Sequence, residues 1–513
     1  MKKVSWLLAA TFLLQTAVSA QSLRSATQVP WVMTHVHKYT VLPNSSDYHR
    51  KKSILYVSET EAVIPYYVPE KAKIVMGVKN EMNGLAKVNN KGMVKWQVEL
   101  HNGAILGIAR FHGNILVLSV PEWNDLKSRV SALKQIKATV LSVTNGRKLL
   151  EKDIPLTSTL YAQVSLHNDA AGEFQQLLVR HTKLPTSGLN VFSLNKHEKQ
   201  VRQTESMQLY TISEDLALSQ TASITITNPE QQYLASVTDA AGNLDVAWAT
   251  ASSLVLERYA PGTGTPAVKL STPFEWNEKE TPEIVLAANP ARVDQAVLAL
   301  RYKKGSSHIK TVQYDLAAQK TYVHDEEVEK ALMKTIEAKA EVPEGRSREM
   351  TNKRFWGLKP TDIQFYGDKA IVVKQTSGTL ATGPEYGHHV FVGDAFFTVL
   401  NPDGTVLKHL LLTKLTTSNS EIGYTLGTSV VGDALQFVTI DDVKISKSTL
   451  LHGVIDLKDM KWQKLVTVKG DGGVESGRLE SAHTLWFASG PVIHALDPKG
   501  VRLETVFKVV MPK

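Results

Sequence analysis

The sequence predicts an all-β fold made from one four-stranded antiparallel unit used repeatedly. Three observations carry this. The first is the stretch Leu85 to Leu100, LAKVNNKGMVKWQVEL, which reads as strand, tight turn at Asn89-Asn90-Lys91-Gly92, and strand. In its second half Val94, Trp96, Val98 and Leu100 alternate with Lys95, Gln97 and Glu99, the period of a strand with one buried and one wet face. The second is recurrence. The same hairpin returns at 395–410 and 491–507, with looser copies at 139–154, 189–203, 254–270, 309–323 and 451–466. The third is turn chemistry. Asn401-Pro402-Asp403-Gly404 and Asp497-Pro498-Lys499-Gly500 put Pro second and Gly where a positive φ is wanted, and Asn145-Gly146 is a tighter version.

Taken in order, residues 1–20 read as a secretory signal peptide. Lys2 and Lys3 form its basic region, Val4 to Leu14 its apolar run, and Val18-Ser19-Ala20 its cleavage point. Residues 21–52 are a leader or a closing strand, with Trp31–Tyr39 and Ile54–Val57 the strand-like pieces available to pair with the last unit. Residues 53–513 hold the repeats. The first unit takes Ala62–Val68, Ile74–Val78, Leu85–Val88 and Val94–Leu100, and the second ends near Ile154 after an insertion at 122–137 that reads as partly helical. Units three and four share Asp-Ala-Ala-Gly at 169–172 and 239–242, and 204–232 reads as surplus between them. A helix is expected over Asp325 to Ala340, where Val328, Leu332 and Ile336 form one stripe behind an acidic start. Further insertions lie at 324–360 and 377–394. Strands that follow one another through short turns, with no crossover helices, suit a single β-propeller of eight, alternatively seven, four-stranded blades.

The segment Ala86 to Trp96, with Gly92 after the turn and Trp96 in the outer strand, resembles the repeat of pyrroloquinoline-quinone-type propellers. Trp462 in DMKWQKL is a partial echo. The resemblance implies a blade fold over most of the chain and a Trp docked between neighbouring blades. It implies no quinone site, because the acidic and cationic ligands of that site have no counterparts here.

Composition bounds the function. There is no cysteine, hence no disulfide, thiolate metal site or lipid-attachment cysteine, so stability must come from the core. The formal charge of 58 − 50 = +8 is thinly spread, without the clustered basic stripe that nucleic acid requires. No stretch beyond the leader has the roughly 18–20 apolar residues needed to span a bilayer.

The richest candidate for a ligand contact is the Gly-rich insertion 377–394, which carries Glu385, Tyr386, His388, His389 and Asp394. His388 and His389 are adjacent and would face opposite ways on a strand. Gly262-Thr263-Gly264-Thr265-Pro266-Ala267 formally matches a dinucleotide fingerprint, but its prolines and the strand-like Val268-Lys269-Leu270 make it a hairpin turn. His35 and His37 share a strand face without a third ligand. Asp441-Asp442 and Asp325-Glu326-Glu327 read as a solvated pair and a helix start, and 344–359 as a basic linker. No cofactor, metal or catalytic set is expected. The expected role is an exported, non-catalytic binding or scaffolding protein of the bacterial envelope, periplasmic or secreted and monomeric. Its partner would be a protein or an envelope glycan. The alternative is a polysaccharide hydrolase or lyase with its site at the channel mouth.

Overall fold

The computed structural model describes residues 21–30, 54–68, 82–100, 105–119, 135–156, 161–169, 171–182, 204–224, 226, 228, 231–275, 283–304, 306–328, 334, 338–346, 357–381, 388–418, 426–444, 447–470, 484–496 and 504–510. Its strands form a β-propeller of seven blades, at 55–99, 105–155, 161–224, 232–273, 283–327, 358–418, and 427–510 together with Gln21–Pro30. Within each of the first six, four strands follow in chain order from the innermost outward, and in the sixth Thr416–Ser418 adds a short fifth strand beside His388–Leu400. The first strands of adjacent blades lie against one another.

Local sequence explains the hairpins. Asn89 Oδ1 accepts the backbone N–H groups of Lys91 and Met93, and Gly92 takes φ 72° to close the turn. Asp169 and Asp239 do the same for their own hairpins, accepting from Glu173 and Asn243 two residues after the last turn contact at Ala171 and Ala241.

Apolar clusters fill the spaces between blades. Leu85, Trp96 and Val117 join the first blade to the second, Leu118 and Val164 the second to the third, and Met207 and Trp248 the third to the fourth. Leu256 and Leu298 join the fourth to the fifth, Val297 and Val372 the fifth to the sixth, and Phe397 and Phe437 the sixth to the seventh. Ile64 and Val88 meet Phe487 and Val492, which brings the seventh blade back to the first. At that seam Tyr56 accepts the backbone N–H of Trp486 at 2.8 Å and its ring meets Phe487 edge-on.

Several expectations are corrected. Eight outer hairpins are legible in the sequence, yet the hydrogen bonding gives the seven-blade alternative. Strand Gln21–Pro30 is the reason. It runs parallel to Lys461–Gly470 and antiparallel to Glu504–Val510, so the last two four-stranded groups become one eight-stranded sheet. Of the segments expected at that place, Leu55–Ser58 is instead the first strand of the first blade, and Trp31–Tyr39 lies outside the described residues. The surplus at 204–232 is no surplus. Thr204–Ile212 and Leu218–Ile224 are the outer strands of the third blade, and the copy expected at 189–203 lies outside the described residues.

The helix beginning at Asp325 is also overturned. Asp325, Glu326 and Glu327 belong to strand Lys320–Glu327, where ladder bonds to His308–Asp315 outweigh the acidic start signal. No helical element is found among the described residues, and only Lys334, Ala338 and Lys339 have helical backbone there. Ile74–Val78 and most of the 122–137 insertion lie outside the described residues.

Candidate functional site

The Gly-rich insertion is largely a long hairpin. Strands Lys369–Ala381 and His388–Leu400 pair as far as Ala381 with His388 and Leu380 with His389, so both histidines are strand residues. Glu385 and Tyr386 lie outside the described residues. Asp394 is fully buried, and its Oδ1 accepts the backbone N–H of Lys414 at 2.8 Å. Asp441 performs the parallel task for Leu415 at 3.0 Å, while its other oxygen accepts from Arg346 at 2.6 Å. Lys414, itself buried, donates to the carbonyl of Ile440 at 3.2 Å. Together these bonds hold the chain leaving the sixth blade against the seventh.

The remaining sequence candidates also resolve into structure. Gly262 turns at φ 73° between two strands, and a Cβ on Gly264 would sit 2.1 Å from the carbonyl oxygen of Ser223, so the pseudo-fingerprint is a packed turn. Glu326 pairs with Lys374 of the next blade, both buried, with His324 Nε2 3.3 Å from the same carboxylate. Burial alone would raise this carboxyl's pKa, but the Lys374 charge and the His324 contact hold it well below the usual carboxylate range. Asp245 and Asp239 face Arg258, which also donates to the carbonyl of Val293 in the fifth blade. His35 and His37 lie outside the described residues, as do Arg348, Lys353, Arg354 and Trp356 of the basic segment. Lys359 reaches Glu283 at 3.0 Å.

The structure offers a site that the sequence reading does not nominate. Between the second and third blades lies a cavity of about 340 Å³, walled by Lys152–Leu156 on one side and by Val179, His181, Gln208, Tyr210 and Leu216–Leu218 on the other. Val179 and His181 alternate along one strand, and Gln208 and Tyr210 along its neighbour, so period 2 sends all four to one face. His181 is 5 % exposed. Its Nε2 lies 3.2 Å from Gln208 Oε1, which also accepts the Tyr210 hydroxyl at 2.6 Å. Because Gln208 Oε1 can only accept, Nε2 carries the proton and Nδ1 keeps a bare lone pair. That Nδ1 is buried and has no hydrogen-bond partner in the structure.

Burial pushes the His181 pKa down, against the opposing bond to Gln208, so the ring is neutral near pH 7. Burial raises that of Tyr210. At the rim Lys152 Nζ reaches the Asp215 carbonyl at 3.5 Å, and Asp153 lies 3.8 Å from Lys137. A neutral imidazole of lowered basicity is a weak proton acceptor and a good hydrogen-bond acceptor. The arrangement suits binding. The available sequence signal was a polar triplet, His181, Gln208 and Tyr210, at alternating positions beside Val179 on two neighbouring strands.

No family model and no curated protein matches the chain. Among solved structures it is similar to the Dos1 propeller, at 10 % identity and TM-score 0.40, over 94 % of this chain and 95 % of that one. It is similar to the β-propeller domain of the Trilobed protease from Pyrococcus furiosus, which has an open velcro topology (7 % identity, TM-score 0.35, covering 79 % and 92 %). It is also similar to the ulvan lyase of polysaccharide lyase family PL25 (8 % identity, TM-score 0.36, covering 79 % and 95 %). Likeness at these values carries no functional argument. No helix among the described residues is long and apolar enough to cross a membrane.

Proposed function

We propose that this chain is an exported β-propeller of the bacterial envelope that binds or scaffolds and catalyses nothing, working as a monomer in the periplasm or outside the cell. Its partner is a protein or an envelope glycan. One observation carries the reading. The buried carboxylates Asp394, Asp441 and Glu326 are engaged by backbone amides and by Lys374, which leaves none of the three free for acid–base work. Export is supported by the basic and apolar leader ending at Ala20. The docking of Trp96 on the second blade supports kinship with pyrroloquinoline-quinone-type repeats at the level of the blade.

A second reading, polysaccharide hydrolysis or elimination, is favoured by a different observation. The innermost strands carry Glu283, Lys359, Asp362 and Gln364, with Arg301 on the strand beside Glu283. Glu283 meets both Lys359 and Arg301, and Gln364 bonds Asp362. The test incubates the purified chain with soluble polysaccharides and follows reducing ends and unsaturated products. The proposal expects no turnover together with retardation of the chain in a gel containing the polymer. Turnover that Glu283→Gln abolishes would establish the enzyme instead.

A further inference from the structure

The strand that closes the ring begins where the leader ends. Gln21, Ser22 and Leu23 pair in parallel with Val468, Lys469 and Gly470. From Leu23, which also faces Val510, to Pro30, which faces Glu504, the strand runs antiparallel beside the last strand of the chain. Leu23 therefore has a ladder neighbour on each side. The cleavage point Val18-Ser19-Ala20 puts the scissile bond between Ala20 and Gln21, so the three residues after it are the three that pair with 468–470. An endopeptidase takes the chain around its scissile bond in extended form and bonds that backbone as a neighbouring strand would. Backbone groups already held in the sheet are not free for it. The closed ring and an engaged peptidase exclude one another at Gln21–Leu23.

Chain order decides which comes first. In a chain exported from its N-terminus, residues 21–30 cross first, and their partners at 461–470 and 504–510 cross last. Pairing over such a separation also waits on closure of a very long loop, the slow kind of contact in β folds. Until then the facing edges of Lys461–Gly470 and Glu504–Val510 lack the strand that joins them, and the bond after Ala20 stands outside the ring's ladders. We infer that the leader is removed from an open ring and that closure by Gln21–Pro30 follows. Water adds across the Ala20–Gln21 peptide bond, its hydroxyl to the Ala20 carbonyl carbon and its proton to the Gln21 nitrogen, and the freed strand then docks. The inference rests on the export reading above and adds the order of processing and closure. A ring closed with its leader still attached is a dead end, resistant to the peptidase.

The experiment uses the full chain, Met1 to Lys513, and a purified bacterial leader peptidase in detergent. Leu23→Cys with Val510→Cys puts one cysteine on each of two ladder partners beside the bond, in a chain with no other cysteine. Cleavage is followed by N-terminal sequencing. Reduced precursor freshly diluted from urea into peptidase should be cut after Ala20. Precursor folded first and locked by oxidation should be cut about a hundredfold more slowly, because proteolysis then follows only the small population opened locally. Arg24→Cys with Val509→Cys repeats the test if the first pair disturbs folding. A precursor in which neither pair bridges until the leader is cut supports the same order. Equal cleavage of locked and freshly diluted precursor would overturn the order and leave export standing. No cut after Ala20 even at the moment of dilution would overturn the leader itself, and the inference with it.

Discussion

The indole N–H of Trp96, on the outer strand of the first blade, donates to the carbonyl of Val143 in the second blade at 3.1 Å. Lys87 Nζ donates to the same oxygen at 3.2 Å, and Gly146 lies beneath the ring, where a Cβ would come within 2.7 Å of it. One aromatic side chain thereby joins two sheets that share no backbone ladder. Trp462 does likewise for the carbonyl of Glu341 at 3.0 Å.

Removing the Trp96 contact should therefore loosen a blade boundary. Trp96→Ala is expected to cost about 3–5 kcal/mol, as for other large aromatic truncations in cores. Trp96→Phe, which keeps most of the ring and loses the N–H, should cost less. Gly146→Ala should also destabilise, because Gly146 holds φ 72° and the added carbon meets the indole. Urea unfolding of the three variants checks this, and equal midpoints for Ala and wild type would refute it.

Gly404→Val should destabilise by about 1–3 kcal/mol, since a β-branched residue resists positive φ. Gly404 sits at φ 79°, and a Cβ there would lie 3.0 Å from Cβ of Tyr322 in the neighbouring blade. A thermal melt reads the loss directly.

The Glu326–Lys374 pair predicts strong non-additivity. Lys374→Met alone leaves a buried carboxylate uncompensated and should cost about 3–5 kcal/mol, while the double change with Glu326→Leu should recover most of that. Additive losses in the double-mutant cycle would show that the two groups do not interact.

Stability should fall on acidification in two stages. His409 and His452 are both pushed down to about 4, chiefly by burial, with Lys374 adding to the first and Lys464 to the second. Between pH 6.5 and 4 the unfolded chain binds protons on these rings that the folded chain does not, so stability is lost through that window. Below it the depressed Glu326 takes over, since its contribution also disappears as pH falls. Urea midpoints measured across that range check the order, and His452→Phe should flatten the upper stage.

Much of the fold was legible because it is written locally. Asn89, Asp169, Asp239 and Gly404 announce their hairpins through side-chain and φ preferences that act within a few residues. Long-range facts were not. Blade number depends on where Gln21–Pro30 pairs, a contact across almost the whole chain that no local pattern encodes. The acids at 325–327 satisfy both a helix start and a strand edge, and only the Lys374 and Lys310 partners from other strands decide between them. The Gly-rich loop drew attention through its composition, yet Asp394 turns out to hold a backbone amide. The cavity at His181 stayed hidden because its walls come from two blades, Lys152–Leu156 and Val179–Leu218.

The ring, and with it the inter-blade cavity, depends on Gln21–Pro30 pairing in register with Glu504–Val510. A chain without native cysteine permits an unambiguous test. Thr27 and Phe507 are direct antiparallel partners, as are Arg24 and Val509. Such partners have Cα atoms about 4.5–5.5 Å apart, within reach of a disulfide. Thr27→Cys with Phe507→Cys should oxidise to an intramolecular bridge in nearly all molecules and raise the melting temperature, while Thr27→Cys with Val492→Cys should not. Failure of the first pair to bridge, or equal bridging by both pairs, would contradict closure through the N-terminal strand.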